Sequence, residues 1–216
     1  VSAQYESLSG AHDVPFPEWE GEPPPGPSEL LAGWLDEAVE RGCAEPRGAA
    51  VSTVDEGFRL SSRMMTMVGA TTRGLVFATH TTSRKAHDIR ATKSGSALFY
   101  WREIGRQLLV AGTFEPVDGR TSESLWHGRH PALHPMSSSS RQSELLADPA
   151  ELRDRVRLLE AGAARRPAPM ARPDRYVGYE LRGTHVEFWS SASDRLHRRL
   201  QYTWSGEQWC VRRLQP

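Results

Sequence analysis

Lysine is almost missing from this chain, occurring only as Lys85 and Lys93, and the 216 residues include only 2 cysteines. Cys43 and Cys210 have no C-x-x-C spacing, which excludes a disulfide framework, a redox pair and a thiolate zinc site and fits reduced thiols in the cytoplasm. Net charge is absent too: 27 basic residues balance 27 acidic ones, so no general field draws nucleic acid or an anionic membrane surface. No apolar run reaches the roughly 18 residues of a membrane span, and no leader pattern is visible, so no membrane partner is expected. Ser137 to Ser140 lack the glycines of a nucleophile elbow, which argues against a Ser-His-Asp hydrolase. His127, His130 and His134 could converge on a metal only along one continuous helix. Pro131 breaks that helix and no carboxylate or cysteine completes a ligand set, so no metal is expected.

What is present is a proline- and glycine-rich start followed by short strand-like runs. Residues 1–27 end in Glu22-Pro23-Pro24-Pro25-Gly26-Pro27, which cannot form a helix and offers little to bury, and they read as a flexible arm. Residues 28–216 read as one domain. Ser28 suits a helix N-cap, and Leu30, Leu31, Trp34, Leu35, Ala38 and Val39 share a face of the helix that ends at Gly42. From Ala49 the pattern is of strands: 49–54, 58–68 and 75–80, then 97–101 and 107–117 beyond an intervening helix. Thr121 to Arg129 reads as a short helix and Pro131 to Ser140 as a loop. Asp148-Pro149 starts a helix that buries Leu152, Val156 and Leu159, and a linker follows from Ala161 to Pro173. Strands return at 176–181, 185–190, 200–204 and 208–214, the last two joined at Ser205-Gly206. The class is mostly β with flanking helices, and consecutive short strands around one inserted helix suggest an antiparallel barrel.

The stretch from Gly74 to Gly112 holds the first chemical signal. A strand ends near Thr79, Ser83 stands at a helix N-cap, and Arg84 and Lys85 occupy the first turn. Free N–H groups of a helix start and two cations on one point make an anion site suited to phosphate. The same residues also suit a solvated helix start, and local pattern does not separate the two.

The order of further motifs adds to this. Ser83-Arg84-Lys85-Ala86-His87, Arg141-Gln142-Ser143 and Val186-Glu187-Phe188-Trp189 followed by Arg195-Leu196-His197 resemble the pyridoxamine 5'-phosphate oxidase family. The resemblance runs from about Ser28 to Pro216. His134-Pro135-Met136-Ser137 and the ending Leu214-Gln215-Pro216 are similar to the branch that oxidises reduced phenazine precursors. The resemblance implies an FMN-binding split β-barrel, homodimeric, with six barrel strands and cofactor contacts from both chains. By the same resemblance Arg63, Arg84, Lys85 and Ser143 would hold the flavin phosphate, with Met64, Ala78 and Thr79 beside them. Gln107 and Gln142 would meet the flavin ring, and Trp189 and Arg199 would contact the cofactor, although on pattern alone Trp189 is a core residue and Arg199 a surface cation.

The substrate positions depart from the phosphate-oxidising members. Where those hold a substrate phosphate with lysine, tyrosine, arginine and serine, this chain has Val68, Leu125, Arg129 and Leu133. A phosphate dianion beside valine and leucine would be poorly paired. A flat, largely apolar ring bearing a carboxylate fits instead, with Arg129, Arg195 or His197 as its partner and His197 as a possible aid to proton movement. The expected activity is an FMN-dependent oxidase of phenazine biosynthesis acting on a small-molecule aromatic carboxylate, with O2 as acceptor. Two other classes stay open: a pyridoxamine or pyridoxine 5'-phosphate oxidase, and a flavin-binding protein with little turnover.

Overall fold

The alternation of apolar and polar residues builds a barrel wall that closes between strands far apart in sequence. The structure, a computed structural model, describes residues 14–165 and 169–216. In chain order the elements are α1 (Pro17–Glu20), α2 (Ser28–Glu40), β1 (Gly48–Val54), β2 (Leu60–Ala70), β3 (Gly74–His80), α3 (Arg84–Thr92), β4 (Ser94–Trp101) and β5 (Arg106–Pro116). They continue with α4 (Gly119–His127), α5 (His134–Ser139), α6 (Pro149–Arg165), β6 (Tyr176–Ser190), β7 (Arg198–Trp204) and β8 (Trp209–Leu214). All neighbours pair antiparallel in the order β3-β2-β1-β4-β5-β6-β7-β8, and β3 also pairs with β6. Six strands therefore close on themselves, and β7 and β8 extend the sheet outward from β6.

Closure depends on β6 serving two partners along one edge. Its first half, from Tyr176 to Arg182, pairs with β3 and its second half, from His185 to Ser190, with β7. The two strands expected there are thus one continuous strand, and the register shift at Ala111/Gly112 marks where β5 follows its bend. A Cβ at Gly112 would lie 1.9 Å from the Arg182 carbonyl oxygen, so only glycine lets the backbones approach there. Inside the wall Phe77, Phe99, Leu108, Phe114, Leu181, Phe188 and Leu200 are almost fully buried. Each contributes about 1.5–3 kcal/mol by leaving water.

Several local expectations are corrected. Residues 14–27 of the expected flexible arm pack against the barrel, and residues 1–13 lie outside the described residues. Phe16 is fully buried, with its ring 5.1 Å from that of Trp34. A proline-rich segment has few N–H groups but many free carbonyls, and the barrel supplies donors to them. Arg198 bonds Val14 O at 3.0 Å, Arg106 bonds Pro15 O at 2.9 Å and Tyr202 bonds Pro24 O at 3.1 Å.

Ser28 is the first residue within α2 rather than its cap, because the Leu31 N–H already bonds Pro27 O at 2.8 Å. Val39 is 50% exposed, so the buried face of α2 is Leu30, Trp34, Leu35 and Ala38. Phe58 falls in a turn, where the Asp55 carboxylate accepts from the N–H groups of Gly57 and Arg59. The expected loop from Pro131 to Ser140 contains a single 3-10 turn, Pro131–Leu133, and then α5, with His134, Pro135 and Ser137 buried. Along α6 only Val156 is buried, and the helix runs to Arg165 into the expected linker. No helix among the described residues is long and apolar enough to cross a membrane.

Candidate functional site

The candidate anion site begins with a helix start that works against its own side chains. The Ser83 hydroxyl caps α3 by accepting from the Ala86 N–H at 3.3 Å. Arg84 and Lys85 then place two positive charges at the positive end of the helix dipole, a local cost that a bound anion reverses. Lys85 is buried and points to Thr79 Oγ1 and Gln142 Oε1, both at 3.3 Å. Burial pushes its pKa down, the neighbouring Arg63 lowers it further, and Asp88 opposes both. Thr79 also donates to Gln142 Oε1 at 2.9 Å, which brings the loop after α5 onto the end of β3.

Arg63 is held from behind. It donates to Val51 O at 3.0 Å and to Thr53 Oγ1 at 2.9 Å, and it lies 4.0 Å from the buried Asp88 carboxylate. Asp88 in turn accepts from Thr53 and Ser61 hydroxyls at 2.6 and 3.1 Å. One carboxylate thus faces Arg63 and Lys85, with Arg84 adding a third positive charge beside Arg63, and the corner keeps an excess of positive charge.

These residues open into a cavity of about 1260 Å³. Of the expected cofactor residues it gathers Arg63, Met64, Ala78, Thr79, Arg84, Lys85, Gln142 and Ser143, and of the expected substrate residues Val68, Leu125, Arg129 and Leu133. Leu125 rests on β6 because Gly178 leaves room: a Cβ there would lie 2.6 Å from Leu125 Cδ1. Arg129 sits over the Tyr176 ring at 5.7 Å and donates to Ser137 Oγ at 2.6 Å, so a hydroxyl that the sequence reading did not include stands beside the retained cation.

Gln107, Trp189 and Arg199 are elsewhere, lining a separate groove of about 280 Å³ with Leu98, Leu109, Glu187 and Pro216. The sheet register puts them in one row, Gln107 opposite Trp189 and Trp189 opposite Arg199. Trp189 is only half-buried on the outer face, and Arg199 is paired with Glu187 at 2.8 Å, which raises its pKa. His197 and Arg195 line neither opening, although the His197 ring lies 4.8 Å from that of Trp189. Arg195 has a positive φ of 65° and is exposed.

The cavity wall also includes residues to which the sequence reading gave no site role: His80, Tyr176, Arg47 and, from the quoted His134-Pro135-Met136-Ser137 motif, Met136 and Ser137. The three histidines weighed as metal ligands go separate ways. His127 meets Glu123 at 3.0 Å, His130 caps the turn that follows it, and His134 stacks on Trp126 at 4.2 Å.

The fold is a split barrel with a cation-lined cavity on one flank and an amide, a tryptophan and an arginine on another, and comparison with known proteins gives its class. The chain belongs to the pyridoxamine 5'-phosphate oxidase family, whose pattern matches residues 35–161. The pattern described as the pyridoxine 5'-phosphate oxidase C-terminal dimerisation region matches residues 176–216. The dihydrophenazinedicarboxylate synthase of Burkholderia lata is 41% identical, over 100% of this chain and 99% of its own. A pyridoxine/pyridoxamine 5'-phosphate oxidase of Rubrobacter xylanophilus is 37% identical, over 89% of this chain and 88% of its own. The crystal structure of PhzG from Burkholderia lata 383 in complex with tetrahydrophenazine-1-carboxylic acid superimposes with a TM-score of 0.91 at 40% identity, covering 96% of this chain and 100% of that one.

Proposed function

We propose that this protein is an FMN-dependent oxidase that removes two electrons and two protons from a reduced phenazine carboxylate. The observation that carries the choice of substrate is the cavity lining: Val68, Leu125 and Leu133 share it with Arg129, giving apolar area for a flat ring and a cation for a carboxylate. Relatives named for dihydrophenazinedicarboxylate formation, similar over nearly the whole chain, support the same reading. FMN supplies the two-electron acceptor, and O2 would take the pair on as hydrogen peroxide. Because the ring being oxidised is electron-rich and gains aromaticity, the residues mainly have to bind and orient it.

FMN fits the donor set, since Arg63, Arg84, Lys85 and Ser143 all line the cavity and together could pair a phosphate dianion. Releasing the chromophore by heat and weighing it tests this; FAD, or no flavin after reconstitution, counts against the site. A homodimer accounts for the separation of the cavity from the groove. Across the outer face Met64, Ala50, Leu98 and Leu109 lie in register, an apolar row that joins a residue of the cavity to two of the groove. A second chain covering that row would bring its own groove toward the first chain's cavity. Sedimentation of the flavin-loaded protein at low concentration tests it, and a stable, flavin-saturated monomer overturns it.

One observation favours the alternative, a pyridoxamine or pyridoxine 5'-phosphate oxidase: the Ser137 hydroxyl beside Arg129 gives an anionic oxygen two donors instead of one. Anaerobic reduction of the bound flavin and kcat/KM for a dihydrophenazine carboxylate and for pyridoxamine 5'-phosphate decide between them. Preference for the phosphate ester defeats the phenazine reading and leaves the flavin site standing. Peroxide released per product tests the role of O2.

A further inference from the structure

One wall of the cavity has no role in the reading above. His80 ends β3, is 6% exposed, and lines the cavity between Thr79 on the anion side and Tyr176 on the other, whose ring lies 6.4 Å away and whose backbone is its partner in the ladder. Its Nδ1 is buried without a hydrogen-bond partner. Burial, with Arg175, Arg129 and Lys85 around it, pushes the imidazole pKa down to about 4, so the ring is neutral at ordinary pH and carries one N–H. Nδ1 has no partner in either tautomer, so an anion in the cavity selects the one with its proton on Nε2, the nitrogen left to meet what the cavity holds.

The surrounding cations differ in what they have left to offer. Arg175 is engaged by the carbonyls of Ser137, Ser138 and Ser140, which anchor the end of α5, and Lys85 by Thr79 and Gln142. Arg129 makes one hydrogen bond, to Ser137, and pairs with no carboxylate among the described residues. A cation with donors to spare and a neutral N–H on one wall suit the two oxygens of a single anionic group.

We infer that His80 is a substrate-binding residue, donating from Nε2 to the same anionic group that Arg129 pairs with. This rests on the proposal that the cavity takes an anionic substrate beside the flavin. The test is equilibrium binding, without turnover, of phenazine-1-carboxylate and of unsubstituted phenazine to the oxidised, flavin-loaded enzyme, read from the flavin absorbance. His80→Phe should weaken the carboxylate about tenfold to a hundredfold, as expected for a hydrogen bond to a charged group, and leave unsubstituted phenazine unchanged. His80→Asn, which keeps an N–H donor, should recover part of the loss and serves as the second variant if the phenylalanine does not fold. Equal loss for both ligands, or no loss for either, overturns the inference while the phenazine reading stands. If the unmodified enzyme binds neither phenazine, the phenazine reading falls, and pyridoxamine 5'-phosphate against pyridoxamine, on the same proteins and by the same criteria, decides the role of His80.

Discussion

The cavity and the groove are built on one barrel by opposite means. In the cavity, charge is organised from behind: Asp88 and the Thr53 and Ser61 hydroxyls fix Arg63, α3 presents Arg84 and Lys85, and α4 and α5 supply further lining. In the groove, the residues stand on strand faces in register, half-exposed, and the one cation is already paired with Glu187. A single chain can therefore preorganise an anion site, whereas the groove gains a low dielectric and strong hydrogen bonds only when something covers it.

The sharpest break of this comparison is a charge in the row between the two. Leu98→Asp should split the dimer and abolish flavin binding, because burying an unpaired carboxylate costs several kcal/mol. Sedimentation and flavin titration on the same sample check it, and a monomer that keeps its flavin would mean the cavity suffices alone. Next in size is Arg84→Ala with Lys85→Ala, expected to weaken FMN by roughly 3–6 kcal/mol, about a hundredfold to ten-thousandfold in Kd, by loss of charge-assisted bonds. Fluorescence quenching of added FMN measures it. Arg63 is a poorer target, since its removal takes the ion-pair partner of the buried Asp88 and threatens the fold itself.

How far this could be read from sequence differs between the two regions. The helix start that carries Arg84 and Lys85 is legible because an N-cap serine is a local signal, whereas their role and the places of Arg63 and Arg129 come from the family resemblance. On pattern alone Trp189 is a core residue, and that it stands with Arg199 on a groove apart from Arg84 follows from barrel closure, which no local pattern encodes. His80 gave no signal, since a histidine at a strand end becomes distinctive only once Arg129 and Arg175 arrive from other elements. The strap at residues 14–27 is hidden for another reason: proline content signals an inability to form a helix, while its carbonyls are what the barrel holds.

A smaller effect separates the regions by pH. The folded pKa of His80, about 4, lies below the ordinary 6.5, so as pH falls between these values the unfolded chain takes up a proton that the folded one refuses. Stability of the flavin-free protein should drop by as much as about 3 kcal/mol across that window, and His80→Phe should flatten the dependence. Urea unfolding at several pH values checks the slope. Smallest of all, Arg129→Ala should raise KM for the preferred substrate about tenfold or more while changing kcat less, the mark of an interaction made equally in the ground and transition states. Steady-state kinetics measure it, and an equal fall in kcat would move Arg129 from binding to the chemical step.

The pairing of β3 with β6 also governs how the chain is made. Roughly a hundred residues separate these strands, and at about 5–20 residues per second a ribosome takes on the order of 5–20 s to deliver the second after the first. During that interval the edge of β3, with Leu75, Val76 and Phe77, has no closing partner. Contacts between such distant segments also form slowly. The early meander of β1, β2 and β3 is therefore the part of the nascent chain most exposed to misassembly, and expression that slows initiation or supplies chaperones should raise the soluble yield by protecting that one edge.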